Sequence, residues 1–376
     1  MAIGLLLCTA ACVEPYKPEI RETQDLLVVN GIITDRPGIH YVEVSRSSPY
    51  NQPAFIPVAG CVVRVEDDGG EGVTYTEYRP GRYGAYLDSP FLGLSRSYKL
   101  FVFTPDGKQY QSEYDQLLAC PLLDRLYYEV SHQETEDPGK YYYGLQFYVD
   151  VKPETGASRN VLWKLEETYE YHSPYLIQYI WDGRTLLEFS PPTDSLYTCY
   201  KTRAVRELYA ASTKYLVTNE LNKYPLNYVS NQTSRLLIKY SLLVSQYSLS
   251  DEAFIYWERI KKQMNETGGL YETQPAGSKG NIFNADDPGE QVLGYFYASQ
   301  VREERILIRN TFDFAIPRYT CQLDTANSIG DLGNHFFYMI ALDPMSAVGP
   351  PYGYADLSCF DCTLLGGTTQ MPEYWK

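Results

Sequence analysis

The sequence predicts a mainly β protein. An N-terminal β-sandwich of immunoglobulin-like or carboxypeptidase-regulatory-like type is followed by a larger β-rich domain with one clear helix, at about 251–265. Three observations point there. Apolar and polar residues alternate with period two over much of the chain, as half-buried strands require. Gly, Pro and Asp clusters interrupt these runs at short intervals, as turns between short strands do. Tyrosine is the compositional outlier, at 37 of 376 residues, and its apolar ring with a wet hydroxyl suits a pleated surface. Tyr-rich faces also bind glycans and peptides, but the sequence singles out no subset as a binding platform.

Residues 1–11 read as a lipoprotein signal. The run Leu5-Leu6-Leu7-Cys8-Thr9-Ala10-Ala11-Cys12 is apolar and ends in two small residues and a cysteine, whose sulfur would take the lipid. Each buried acyl CH₂ is worth about 0.8 kcal/mol, so several chains on Cys12 would anchor the protein durably. No Lys or Arg precedes the run, unlike the usual signal peptide. Residues 12–24, with Pro15 and Pro18 among alternating charges, read as an extended tether.

The small sandwich is expected over 25–115. Its strand candidates are Leu26–Val29, Tyr41–Val44, Cys61–Val65, Val73–Thr76 and Tyr98–Phe103. Turns are expected at Asp35-Arg36-Pro37-Gly38, Asp67-Asp68-Gly69-Gly70, Arg79-Pro80-Gly81 and Pro105-Asp106-Gly107. The second domain is expected over 120–376, with longer strands at 145–149, 160–165, 177–181, 236–244, 291–297 and 305–308. Its helix is capped by Ser250 and has Asp251 and Glu252 in the first turn, where the helix dipole favours acids. Phe254, Trp257, Ile260 and Met264 follow at helical spacing, and Gly268-Gly269 ends it. That stripe reads as core packing against a sheet. The last sixty or so residues read as loop-rich.

The formal charge of -15 argues against nucleic acid, whose phosphates require a basic surface, and against an anionic lipid headgroup face. No run after Cys12 reaches the roughly 20 apolar residues that span a bilayer, so the chain is expected to be anchored rather than integral.

The sequence carries no recognisable catalytic signature. The four histidines, His40, His132, His172 and His335, are far apart, and no His-Glu-x-x-His helix exists. Gly93-Leu94-Ser95-Arg96 is the nearest approach to a nucleophile elbow and lacks its second glycine. No phosphate-cradling loop is present, and no cofactor or metal is expected. Asp67-Asp68-Gly69-Gly70-Glu71 and Asn284-Ala285-Asp286-Asp287-Pro288-Gly289-Glu290 invite calcium, but both read better as tight turns. A glycosidase carboxylate pair is defined by its separation in space, which sequence does not give.

Among the eight cysteines, Cys8 leaves with the signal and Cys12 takes lipid. Cys61, Cys120, Cys199, Cys321, Cys359 and Cys362 remain, an even set in an oxidising compartment, so disulfides are expected. Cys359-Phe360-Asp361-Cys362 admits a redox, a zinc or a structural reading. The structural one, with each cysteine bridging to a distant partner, is preferred, and Cys199 and Cys321 are the expected partners.

Several separated motifs then occur in a familiar order. They are Leu27-Val28-Val29-Asn30-Gly31, the Ser248–Trp257 stretch, Gly268-Gly269-Leu270-Tyr271, Gln274-Pro275 and Gly280-Asn281-Ile282. Asp287-Pro288-Gly289-Glu290-Gln291-Val292-Leu293-Gly294-Tyr295-Phe296, Cys359-Phe360-Asp361-Cys362, Gly366-Gly367-Thr368 and Pro372-Glu373-Tyr374-Trp375 follow. With the lipoprotein start, these make the chain resemble the family called domain of unknown function 4249. The resemblance implies an outer-membrane lipoprotein of Bacteroidota, facing the cell exterior and often encoded beside a TonB-dependent receptor. It implies a non-catalytic binding or accessory partner of that transporter; a surface hydrolase of polysaccharide or peptide, and a structural or adhesive module, are the alternatives. No catalytic residues carry over. Cys199, Cys321, Cys359 and Cys362 look like family positions, whereas Cys61 and Cys120 look like additions here and are expected to pair with each other.

Overall fold

The computed structural model describes residues 25–48, 53–137, 139–266, 279–343 and 351–376. The protein is mainly β, and among the described residues it has one α-helix, α1 (Asp251–Glu266), which is not long and apolar enough to cross a membrane. Cys12, the tether and Gly268-Gly269 lie outside the described residues.

The first unit is a single hydrogen-bonded path of strands folded over one core of Leu27, Val29, Ile33, Val42, Val44, Val63, Val65, Tyr83, Tyr98, Leu100 and Val102. Alternation is the cause: Leu27–Thr34 buries every second side chain, and Ser97–Phe103 does the same. The Asp35–Gly38 turn is locked by His40, whose Nδ1 accepts from Thr34 N (3.3 Å) while its Nε2 bonds Arg36 O (3.0 Å). The Asp67 turn is likewise self-contained, its carboxylate accepting from Gly69 N (3.0 Å), Glu71 N (2.9 Å) and Arg96 Nη1 (2.8 Å). Asn284 and Asp287 make the same kind of turn, accepting from Asp286 N (2.9 Å) and Gly289 N (3.0 Å).

The expected boundary of 25–115 does not close this unit. Residues from far downstream complete both of its flanks. Ile282–Asn284 pairs with Gln109–Ser112, while Val292–Leu293 and Phe296–Ser299 pair in parallel with Leu27–Thr34. Ile282, Val292, Phe296 and Ala298 enter the first core. Asn281 fastens the insertion: its Nδ2 donates to Phe296 O (2.7 Å) and its Oδ1 accepts from Phe296 N (3.0 Å).

The second unit packs two sheets face to face. One is Leu122–Glu134, Tyr141–Lys152 and Leu221–Ser230; the other holds Thr198–Ala204, Asn160–His172, Lys239–Leu249 and Val301–Arg309 in that order. Leu145, Phe147, Val149, Trp163, Tyr240, Leu242 and Val244 fill the space between them. Trp163 stacks on Tyr224 at 4.6 Å and donates to Gln246 Oε1 (2.9 Å). The strand expected at 236–244 starts at Lys239, because Ser234–Leu236 forms a 3-10 turn. That turn places Arg235 on the buried carboxylate of Glu167 (2.9 Å), which also accepts from Arg203 (2.6 Å) and Tyr240 Oη (2.8 Å).

Helix α1 covers the outer face of the second sheet. Ser250 Oγ caps it by accepting from Ala253 N (3.2 Å). Ala253, Phe254, Tyr256, Trp257 and Ile260 pack on Leu162, Leu249, Tyr295 and Tyr297. Met264, expected on that face, is exposed.

The C-terminal third is more regular than expected. Leu186–Thr193, Ile177–Trp181, Phe337–Ala341, Tyr352–Tyr354 and Asp324–Ala326 form a third sheet in that order. Cys61 and Cys120 do not pair; both are buried free thiols. Cys61 sits in the first core, while Cys120 lies against Gln246, whose Nε2 donates to its sulfur (3.4 Å). Burial pushes the Cys120 thiol up to about 12, so it stays protonated.

Candidate functional site

The strand Asn160–His172 places Tyr169 and Tyr171 two residues apart on one face, and the chain then turns through Ser173-Pro174-Tyr175 into the third sheet. Register sets Tyr171 opposite Cys199, and Tyr197 lies just before it. Across from them runs the Arg318–Cys321 segment. Between these walls is a cleft of about 790 Å³, lined by Tyr169, Tyr171, His172, Tyr175, Tyr197 and Tyr319 among others.

Two disulfides hold this cleft. Cys199 joins Cys362 with Cα atoms 5.7 Å apart, and Cys321 joins Cys359 at 6.0 Å. The Cys359–Cys362 turn therefore staples two distant segments into the walls of one groove. The rings are fixed by their hydroxyls: Tyr171 Oη donates to Cys362 O (2.7 Å) and Tyr175 Oη to Cys321 O (2.9 Å). Burial raises the Tyr171 phenol, which keeps it a donor. Lys201 Nζ donates to Leu365 O (2.8 Å), and His172 packs on Tyr197 with ring centres 4.5 Å apart.

A polar cleft of about 580 Å³ lies where the first unit meets the start of α1. Asp115, Asp251 and Glu252 line it, and Tyr114 is its sole aromatic ring. Asp251 accepts from Lys214 Nζ (2.5 Å) and Asn160 Nδ2 (2.8 Å), which hold its carboxyl below the usual range. Asp115 accepts from Ala298 N (2.8 Å) and bonds Ser250 Oγ (2.5 Å), and burial pushes it up to about 6. Both carboxylates thus have structural work: Asp115 joins the first unit to the helix start, and Asp251 ties that helix to Asn160 and Lys214 of the second unit. No cluster of three His, Cys, Asp or Glu able to hold a metal exists among the described residues.

Asp115 carries a pH prediction. The folded group holds its proton more tightly than an ordinary aspartate at 3.8. Its contribution to stability is therefore fullest below about pH 4 and is lost as pH rises through about 6, roughly 3 kcal/mol in all. Asp115→Asn keeps the shape without the charge, so its stability relative to wild type should improve between about pH 4 and pH 7. Thermal melts at both ends check this; a constant difference contradicts it.

Residues 13–305 match the family model described as Domain of unknown function (DUF4249). The chain belongs to this family. No curated protein matches it. The DUF4249 match takes in the strands between Tyr169 and Lys201, but it ends before Arg318–Cys321, Cys359 and Cys362. The disulfide-bonded tail, with Cys359-Phe360-Asp361-Cys362 and Pro372-Glu373-Tyr374-Trp375, therefore lies beyond the matched residues. The groove tyrosines were not singled out from sequence, though a signal existed: Tyr197-Thr198-Cys199 and Tyr319-Thr320-Cys321 repeat one tripeptide, and both copies line the groove or bond beneath it.

Proposed function

We propose that this chain is a lipid-anchored, surface-exposed outer-membrane protein that binds a ligand in the tyrosine groove as accessory to a TonB-dependent transporter. The observation that carries the reading is a groove whose aromatic rings are pinned before any ligand arrives, by two hydroxyl bonds to backbone and two disulfides. Pre-setting side chains in this way lowers the ordering cost of binding. The lipobox-like run ending at Cys12 and the charge of -15 support a tethered protein that avoids nucleic acid and acidic headgroups.

Detergent extraction of native membranes tests the partnership. An outer-membrane barrel should co-purify with the lipoprotein at low salt, and mass spectrometry should find acyl chains on Cys12. Recovery of the protein alone at every salt concentration, or an unmodified sulfur at Cys12, would overturn the reading.

A further inference from the structure

We infer that the groove takes an anionic oligosaccharide, one bearing uronate carboxylates or sulfates; this rests on the groove being the ligand site. The first ground is the sign of its charge. The chain carries 47 acidic against 32 basic residues, yet no Asp or Glu lines the groove, while Lys201 and Arg318 do. A cationic hollow in an acidic protein draws anions in and repels neutral competitors no more than water does.

The second ground is that these cations are not spent internally. Lys201 Nζ is steadied by the Leu365 carbonyl, a neutral acceptor, and makes no ion pair. Arg318 is exposed and has no ion-pair partner among the described residues. Two other arginines of this unit, Arg203 and Arg235, are by contrast both spent on Glu167. Lys201 and Arg318 flank the aromatic rings with their charge unanswered.

The third ground separates a sugar from an acidic peptide. Half of the lining residues are Tyr, Ser or Thr, which offers flat ring faces for pyranose C–H surfaces and hydroxyls for sugar hydroxyls. A peptide adds to a sheet through a free strand edge. The outer edge of Thr198–Ala204 is already engaged at Tyr200, which exchanges backbone bonds with Thr368 (2.8 and 3.0 Å).

The test is calorimetric titration of the full chain with four probes: tetragalacturonate, a sulfated galactan oligosaccharide, neutral cellotetraose and hexaglutamate. At least one charged sugar should bind about tenfold or more tighter than cellotetraose, and more weakly as salt rises. Preference for the first or the second probe identifies carboxylate or sulfate as the recognised group. The pair Lys201→Gln and Arg318→Gln should erase the difference while leaving the melting curve unchanged. Tyr319→Ala, an exposed ring, should weaken all sugars alike. Equal binding of charged and neutral sugars, lost in Tyr319→Ala, overturns the anionic preference and leaves the groove a binding site. Hexaglutamate binding alone overturns the saccharide and again leaves the site. No binding of any probe by the folded protein overturns the inference, while co-purification with a barrel judges the partnership separately.

Discussion

Replacing Cys199 and Cys362 together by serine is expected to cost about 3–5 kcal/mol and to abolish binding in the groove. The bond closes a loop with a sequence separation of 163 residues. Chain-entropy reasoning assigns such a crosslink about 5 kcal/mol, and retained denatured-state structure trims that figure. Both sulfurs are buried, so the variant also loses packing. The functional loss follows from position. Without the bond, the Cys362–Leu365 turn no longer presents a carbonyl to Tyr171 or to Lys201, and the ring and the cation both lose their anchors. The Cys321–Cys359 bond spans only 38 residues, and its removal should cost less, about 4 kcal/mol at most by the same reasoning. Urea melts of both double variants, read with the binding titration, check this ranking. An unchanged midpoint for the longer bridge would sink it.

Gly294→Ala should unseat the downstream strands from the first unit and cost at least about 3 kcal/mol. Gly294 has φ +94°, a left-handed conformation that side chains disfavour, and an added Cβ would collide with the Val29 backbone carbonyl. The Gly294 carbonyl is itself pressed against Gly280, where a second Cβ would overlap it. The backbone cannot yield on either side, because Leu27–Val28 pairs with Val292–Leu293 just before and Gly31 with Phe296 just after. Gly107→Ala is the control. It has a similar φ of +86° but nothing within 4 Å, so it pays only the conformational cost of about 1 kcal/mol. Limited proteolysis should cut the Gly294 variant between residues 279 and 299 and spare the control. Equal stability for the two variants would refute the close-packing account.

Much of the fold was legible because alternation survives where one face meets a core. Leu27–Thr34 and Ser97–Phe103 show it plainly. Arg82–Leu87 and Gln109–Ser112 give no strand signal: Gly84-Ala85 interrupts the alternation of the first, and the second has only Tyr110 as an apolar anchor. The downstream closure left no local trace, since parallel pairing of Leu27–Thr34 with Phe296–Ser299 is a fact about distant segments. Cysteine spacing points to the partners of Cys359 and Cys362 but not to the separation of Cys61, in the first core, from Cys120, buried against Gln246. The groove was hidden for a related reason. Its two walls, around Tyr171 and around Arg318, are brought together by the Cys321–Cys359 crosslink and the Tyr175 hydroxyl bond, contacts between segments far apart in the chain.

The late arrival of Phe296–Ser299 also governs when the molecule can be finished. A ribosome releases residues in order, so Leu27–Thr34 is synthesised long before the strand that covers its flank. Until residues 282–299 emerge, the first sheet has bare borders of the kind that invite mispairing between chains. Maturation is therefore a single late event rather than a sequence of modules, and heating should reveal one transition shared by the opening strands and the body that follows.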